Sequence, residues 1–237
     1  MSRKPKTSIL NEARIEKIKE EKPFRYIVQN LERTFGEPTL SPKSEPLSML
    51  VNIILSQATS DANSRRTFEN LRKRFGSWED VLAADESEIA EAIRFGGLAN
   101  QKARVIKDLL QQIKEKNGSL SLGFLEKMPD AEARDYLLQF RGIGPKTVAC
   151  TLLFALHKEV FPLDTHIFRV LRRMGVLPEK ISDEKAHGLL DRLAPKGKFY
   201  SLHVNLIRLG RTVCRPREPL CEKCPLVEYC DYGQTRI

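Results

Sequence analysis

Apolar residues recur along this chain at i, i+3, i+4 and i+7, and strict apolar/polar alternation is scarce, so the pattern predicts a nearly all-α protein. Turn chemistry divides it into helices over roughly 10–20, 24–35, 45–57, 61–75, 86–94, 100–116, 130–139, 145–157, 165–174, 183–193 and 199–213. Gly76-Ser77 and Asn117-Gly118 are stops. A Pro- and Ser-rich stretch from Glu37 to Ser44 and a break at Phe161-Pro162 set off a middle block of domain size. The two ends of the chain are left to build a second, smaller unit. Phe95-Gly96-Gly97-Leu98 is echoed by Phe140-Arg141-Gly142-Ile143, two Gly-containing turns where backbone can approach a ligand closely.

At 237 residues the chain can bury a sizeable core, and 41% hydrophobic with 30% charged residues is the balance of a folded globular protein. The longest near-continuous apolar stretch, Val148 to Leu156, is nine residues and too short to span a bilayer. The basic start, Met1 to Lys6, is followed by no apolar leader, so the expectation is an intracellular protein. Forty Lys and Arg against 31 Asp and Glu give a net charge of +9, which favours a polyanionic partner.

Four of the five cysteines form the run Cys214-x6-Cys221-x2-Cys224-x5-Cys230, with Pro216, Pro219 and Pro225 turning the chain around a common centre. Without a leader peptide such a run reads as metal or iron–sulfur ligation before disulfides; four unligated thiols are the alternative. Zinc ribbons pair two short knuckles, whereas this run has one short pair and two longer arms, so the spacing favours a [4Fe–4S] cluster over zinc. Such a cluster transfers electrons or staples a loop, and the sequence leaves both roles open. Arg211, Arg215, Arg217 and Lys223 place cations suited to phosphates on the same loop. Cys150, between Ala149 and Thr151, reads as core, as does Trp78.

Between the helices ending near 139 and starting near 145 lies Arg141-Gly142-Ile143-Gly144-Pro145-Lys146. Gly142 and Gly144 permit a tight hairpin and Pro145 suits a first helical turn, leaving the N-terminal N–H groups to bind an anion such as a phosphate; a plain turn is the alternative. Lys146 falls where the positive end of the helix macrodipole disfavours an added cation. A neutral amine there is a nucleophile, and a solvated surface lysine is the bland reading. In Leu163-Asp164-Thr165-His166, Asp164 reads as the N-cap of the next helix, and a carboxylate so held can also stabilise a developing sugar cation or accept a proton.

Taken in order over about residues 24–231, these motifs resemble the endonuclease III family of base-excision DNA glycosylases, in the helix–hairpin–helix superfamily. The resemblance implies an all-α, two-domain fold: a six-helix domain over 42–158 carrying the hairpin, and a cluster domain made of 1–41 and 159–237. It implies Lys146 and Asp164 as the catalytic pair, facing each other from opposite domains with DNA across the groove, and Cys214, Cys221, Cys224 and Cys230 as ligands of a [4Fe–4S] cluster. In Leu55-Ser56-Gln57-Ala58, Gln57 is similar to the residue that fills the gap left by an extruded nucleotide, and Leu98 to the wedge into the opposite strand; a helix-end Gln and a turn Leu are the bland alternatives. Arg141, Gly142, Gly144 and Arg211 would join them on the DNA.

Two departures from the family pattern stand out. The family more often reads Leu-Ser-x-Gln, so Gln57 comes one position early and Ala58 takes the usual place. It more often reads Leu-Pro-Gly where this chain has Phe140-Arg141-Gly142. Lysine at 146 selects a branch that cuts the strand through a Schiff base and β-elimination; the T·G mismatch branch has Tyr there, and the adenine-removing branch carries a further C-terminal domain. The expectation is therefore a monomeric bifunctional glycosylase and abasic-site lyase for oxidised pyrimidines in duplex DNA. Its rivals are an abasic-site lyase with weak base removal and a non-catalytic Fe–S DNA-binding module.

Overall fold

The computed structural model describes residues 12–237, so the basic start of the chain lies outside the described residues. Thirteen α-helices follow one another among these residues: α1 (Glu12–Glu21), α2 (Phe24–Phe35), α3 (Pro46–Ser56), α4 (Asp61–Arg74), α5 (Trp78–Ala83), α6 (Glu86–Ala92), α7 (Ala99–Asn117), α8 (Asp130–Leu137), α9 (Pro145–Leu156), α10 (Thr165–Arg173), α11 (Asp183–Leu193), α12 (Phe199–Thr212) and α13 (Asp231–Gln234). The all-α expectation holds. Two of the thirteen were not predicted. α5 is six residues long, too short for an apolar stripe to show, although Ser77 and Asp80 form the capping box that announces it. α13 is a four-residue turn beyond the last cysteine.

The described residues divide into two compact units, one of residues 41–160 and one of 12–40 with 161–237. In the first, the central unit, α9 is buried on nearly every side, with Val148, Ala149, Leu152, Ala155 and Leu156 packed in one core with Leu47, Leu50, Val51, Ile54 and Leu55 of α3. Being enclosed by other helices is why Val148–Leu156 reads as an unbroken apolar run. No helix among the described residues is long and apolar enough to cross a membrane. Cys150 and Trp78 are both buried. Glu45 caps α3 by accepting from the amides of Leu47 and Ser48, and Ser60 caps α4.

In the second, terminal unit, α10 packs on α12, and α12 on α2, through Ile167, Val170 and Leu171, Leu202, Leu206 and Leu209, and Ile27, Val28 and Leu31. Gly210 permits the close approach of α12 to α10, because a Cβ there would stand 2.8 Å from the Cβ of His166. Polar links tie α2 to α12: Lys198 pairs with Glu32 at 3.0 Å, Ser201 donates to the same carboxylate, and Asn205 and Arg208 donate to the carbonyls of Gly36 and Phe35 where α2 ends.

Candidate active site and cysteine pocket

Pro145 occupies the first position of α9 and Lys146 the second, behind Gly144, which supplies no side-chain cap. Lys146 is exposed and the next residue, Thr147, is buried, so the helix presents its first-turn amides and an amine on the same end. The two hairpin glycines are not equivalent. Gly142 has φ +81 and a Cβ there would meet Val105 at 3.4 Å, whereas Gly144 has φ −95 and opens onto empty space. Only Gly142 is required by the turn itself; a side chain at Gly144 would meet nothing within 4 Å. Arg141 is exposed, and its amide donates to the side chain of Gln112 on α7.

Gln57 is exposed at the end of α3, with its amide donating to Thr147 Oγ1 at 3.3 Å, which puts it on the residue next to Lys146. Leu98 is 58% exposed and sits in the left-handed region at φ 52, immediately before α7. A large apolar side chain exposed to that degree in an unfavourable backbone conformation is held there by its surroundings. Part of the holding comes from Lys102, whose ammonium is buried and donates to the carbonyls of Leu55 and Gly96. Sequence reasoning passed over this lysine, although it falls on the apolar stripe with Ile106, Leu109 and Ile113.

In the terminal unit, Asp164 caps α10: its Oδ1 accepts from the amide of Ile167 at 2.8 Å. The carboxylate is half-buried, and among the described residues Oδ2 has no hydrogen-bond partner. Three side chains fix the strand of backbone that leads to it. Asp191 accepts from the amide of Phe161 at 2.7 Å, His203 donates through Nδ1 to the carbonyl of Pro162, and His187 Nε2 accepts from the amide of Leu163 at 3.2 Å. His187 also donates from Nδ1 to Asp183 O, so both its bonds are satisfied by one neutral tautomer. None of the three was singled out from the sequence.

Cys214, Cys221, Cys224 and Cys230 line one pocket together with Val213, Pro219, Leu220 and Val227, and none is in a disulfide. Among the described residues no three His, Cys, Asp or Glu side chains converge tightly enough to hold a single metal ion. Four free thiols around one pocket are the donor set that a [4Fe–4S] cluster takes. Burial, with the neighbouring thiols, pushes the Cys224 thiol up to about 11, a situation that a bound cationic centre reverses. Arg173 donates to Cys214 Sγ at 3.3 Å and to the carbonyls of Arg215 and Pro216, and Gly233 N donates to Cys230 Sγ. Arg211 is exposed in the last turn of α12, just before this loop.

The family model described as HhH-GPD superfamily base excision DNA repair protein matches residues 51–196. Endonuclease III of Sulfolobus acidocaldarius is 33% identical over 186 residues, 78% of this chain and 81% of that protein. A protein of Arabidopsis thaliana that carries the name of a DNA glycosylase is 37% identical over 194 residues, 78% of this chain. The chain spans 66% of the length of that protein and 10% of another Arabidopsis thaliana relative, the transcriptional activator DEMETER. A solved structure of a trapped endonuclease III–DNA covalent intermediate superposes with a TM-score of 0.75 at 27% identity, covering 91% of this chain and 98% of that one.

Proposed function

Because the chain belongs to the HhH-GPD superfamily of base excision DNA repair proteins, we propose that it is a bifunctional DNA glycosylase and abasic-site lyase that removes oxidised pyrimidines from duplex DNA. The observation that carries the reading is the amine of Lys146, exposed on the uncapped first turn of α9 directly behind the Gly142 turn. The likeness to an endonuclease III captured as a covalent DNA intermediate supports an amine nucleophile at this position. The net charge of +9 supports a DNA partner, and a DNA partner places the protein inside the cell. It is read as acting as a monomer.

The chemistry follows from the groups. A damaged nucleotide is turned out of the stack, at a cost of a few kcal/mol that damage lowers. Neutral Lys146 Nζ attacks C1′ as the C1′–N bond breaks; the bonding pair leaves with the base, which takes up a proton, and Lys146 gives up a proton to become a secondary amine. Asp164 Oδ2 stabilises the positive charge that grows on the sugar and accepts the proton from the attacking amine. Ring opening then yields a protonated Schiff base, loss of a C2′ proton expels the 3′ phosphate, and water releases the lysine. The hairpin amides and Arg141 bind phosphate, and Gln57 and Leu98 fill the space left in the duplex.

Cys214, Cys221, Cys224 and Cys230 are the residues that would hold a [4Fe–4S] cluster. When bound, it cross-links a loop whose own apolar core is small and neutralises four thiolates. Arg173 and Arg169 carry the loop's position to α10, since Arg169 donates to the carbonyls of Cys214 and Gly210.

The test is borohydride trapping on a duplex with an abasic site, comparing the natural protein with Lys146→Ala. A covalent complex that vanishes in the variant is the expected result. Binding by both proteins with trapping by neither overturns the lyase reading and leaves a DNA-binding module.

A further inference from the structure

We propose that Lys102 is a positioning residue that locks the Gln57 turn and the Leu98 turn into one rigid unit, so that the two side chains enter the duplex together. The inference rests on the reading of Gln57 and Leu98 as the residues that enter DNA. Lys102 is 4% exposed. Its backbone amide donates to the carbonyl of Leu98 at 2.9 Å, closing the first turn of α7 behind the leucine. Its ammonium donates to Leu55 O and to Gly96 O, each at 2.8 Å. One side chain thus bridges the residue two before Gln57 and the residue two before Leu98. Leu55 O lies in the last turn of α3, the negative end of that helix, where a cation is favoured.

The bridged turns do not hold themselves. Ala58, Gly97 and Leu98 all have positive φ, at 53, 67 and 52, a region in which non-glycine residues stay only when their surroundings over-determine them. The turns also lie close together, since a Cβ on Gly97 would stand 3.9 Å from the carbonyl oxygen of Ala58. Behind Gly96 the space is closed by Thr67, whose side chain would be 3.1 Å from a Cβ at that position. Among the described residues no carboxylate pairs with the Lys102 ammonium, and burial lowers its pKa. An ammonium buried without a counter-ion is a destabilising choice for a core position on an apolar stripe. A methionine of similar length would fill the volume; what it cannot do is donate to two carbonyls on two different turns. Two insertions made by one pre-ordered unit avoid the separate ordering of each turn on the DNA.

The experiment uses the full chain and a duplex with thymine glycol opposite adenine and 2-aminopurine beside the lesion. Its fluorescence reports unstacking before any bond breaks. Lys102→Met is compared with the natural protein, with the double variant Gln57→Ala/Leu98→Ala, and with all three changes combined. Lys102→Met is expected to slow single-turnover excision about tenfold or more and to suppress the fluorescence rise, as a displaced inserting group does. Its borohydride trapping on a single-stranded abasic oligonucleotide, where nothing has to be extruded, stays within about twofold, and in the double variant the change adds less than about twofold. Unchanged excision and fluorescence overturn the proposal. So does a loss of the same size in the double variant, which would mean that Lys102 acts by another route. Should the methionine variant fail to fold, Lys102→Gln, which keeps a shorter donor, goes through the same cycle. A natural protein that leaves both lesions intact overturns the proposed function instead, and the fluorescence comparison still reads the bridge.

Discussion

Replacing Asp164 by asparagine separates the two tasks assigned to its carboxylate. Oδ1 accepts from the amide of Ile167 at 2.8 Å and caps α10, and Oδ2 is left for chemistry. Asparagine caps as well as aspartate, so Asp164→Asn keeps the bond and loses only the charge–dipole attraction, about 0.3–1 kcal/mol at a helix N-terminus. Asp164→Ala loses the cap too, a further cost of about 1 kcal/mol. For a chain of this length each kcal/mol lowers Tm by roughly 2–4 °C. The two variants are therefore expected to separate in melting temperature by a few degrees, with asparagine close to the natural protein. In single-turnover cleavage they are expected to fall together, by about 10²–10³, because neither retains the negative charge proposed to stabilise the developing sugar cation, a contribution of about 3–4 kcal/mol. Asp164→Ser, another good cap without charge, belongs with asparagine in both assays. Activity that follows the order of stability across the three variants, with asparagine near natural rates, would refute the catalytic assignment and leave Asp164 a helix cap.

Gly142→Ala and Gly144→Ala are expected to diverge. The first forces an alanine to φ +81 and lowers stability by about 1–2 kcal/mol, seen as a lower Tm. The second meets nothing within 4 Å and keeps its Tm, while its affinity for abasic duplex falls because the methyl stands where a phosphate would approach. Anaerobic purification is expected to give about four irons and four acid-labile sulfides per chain, and Cys224→Ser is expected to lower both. One zinc per chain with no sulfide would refute the cluster.

Helices with a broad apolar stripe and a chemical stop at each end were legible in the sequence, because both signals are local. α7 illustrates this, with its start at the Gly97-Leu98 turn and its end at Gly118 in the left-handed conformation. The short α5 was missed because six residues show less than two turns of a stripe, and its capping box was the signal to weigh. The cysteine run was legible for a similar reason: its four thiols are brought to one pocket by a loop of seventeen residues, so sequence proximity and spatial proximity nearly coincide.

What escaped sequence reading has a common physical character. Lys102, His187, His203 and Asp191 each pair with a backbone group 47, 24, 41 or 30 residues away. A salt bridge leaves two complementary residues to notice, whereas a side chain bonded to a carbonyl or an amide leaves one, because every position carries those groups. The remaining signal is a polar residue on an apolar face: Lys102 on the stripe of α7, and His187 between Ala186 and Leu189 on the buried face of α11. Buried polar groups are costly unless bonded, so such a residue points to a distant stretch of backbone that it must satisfy. For Lys102 that backbone belongs to the turns of Gln57 and Leu98, and for the two histidines and Asp191 it is the segment ending at Asp164. The residues proposed to meet DNA came from local motifs and from the resemblance to a family, and the residues that hold them in place are found by asking what each buried polar atom is bonded to.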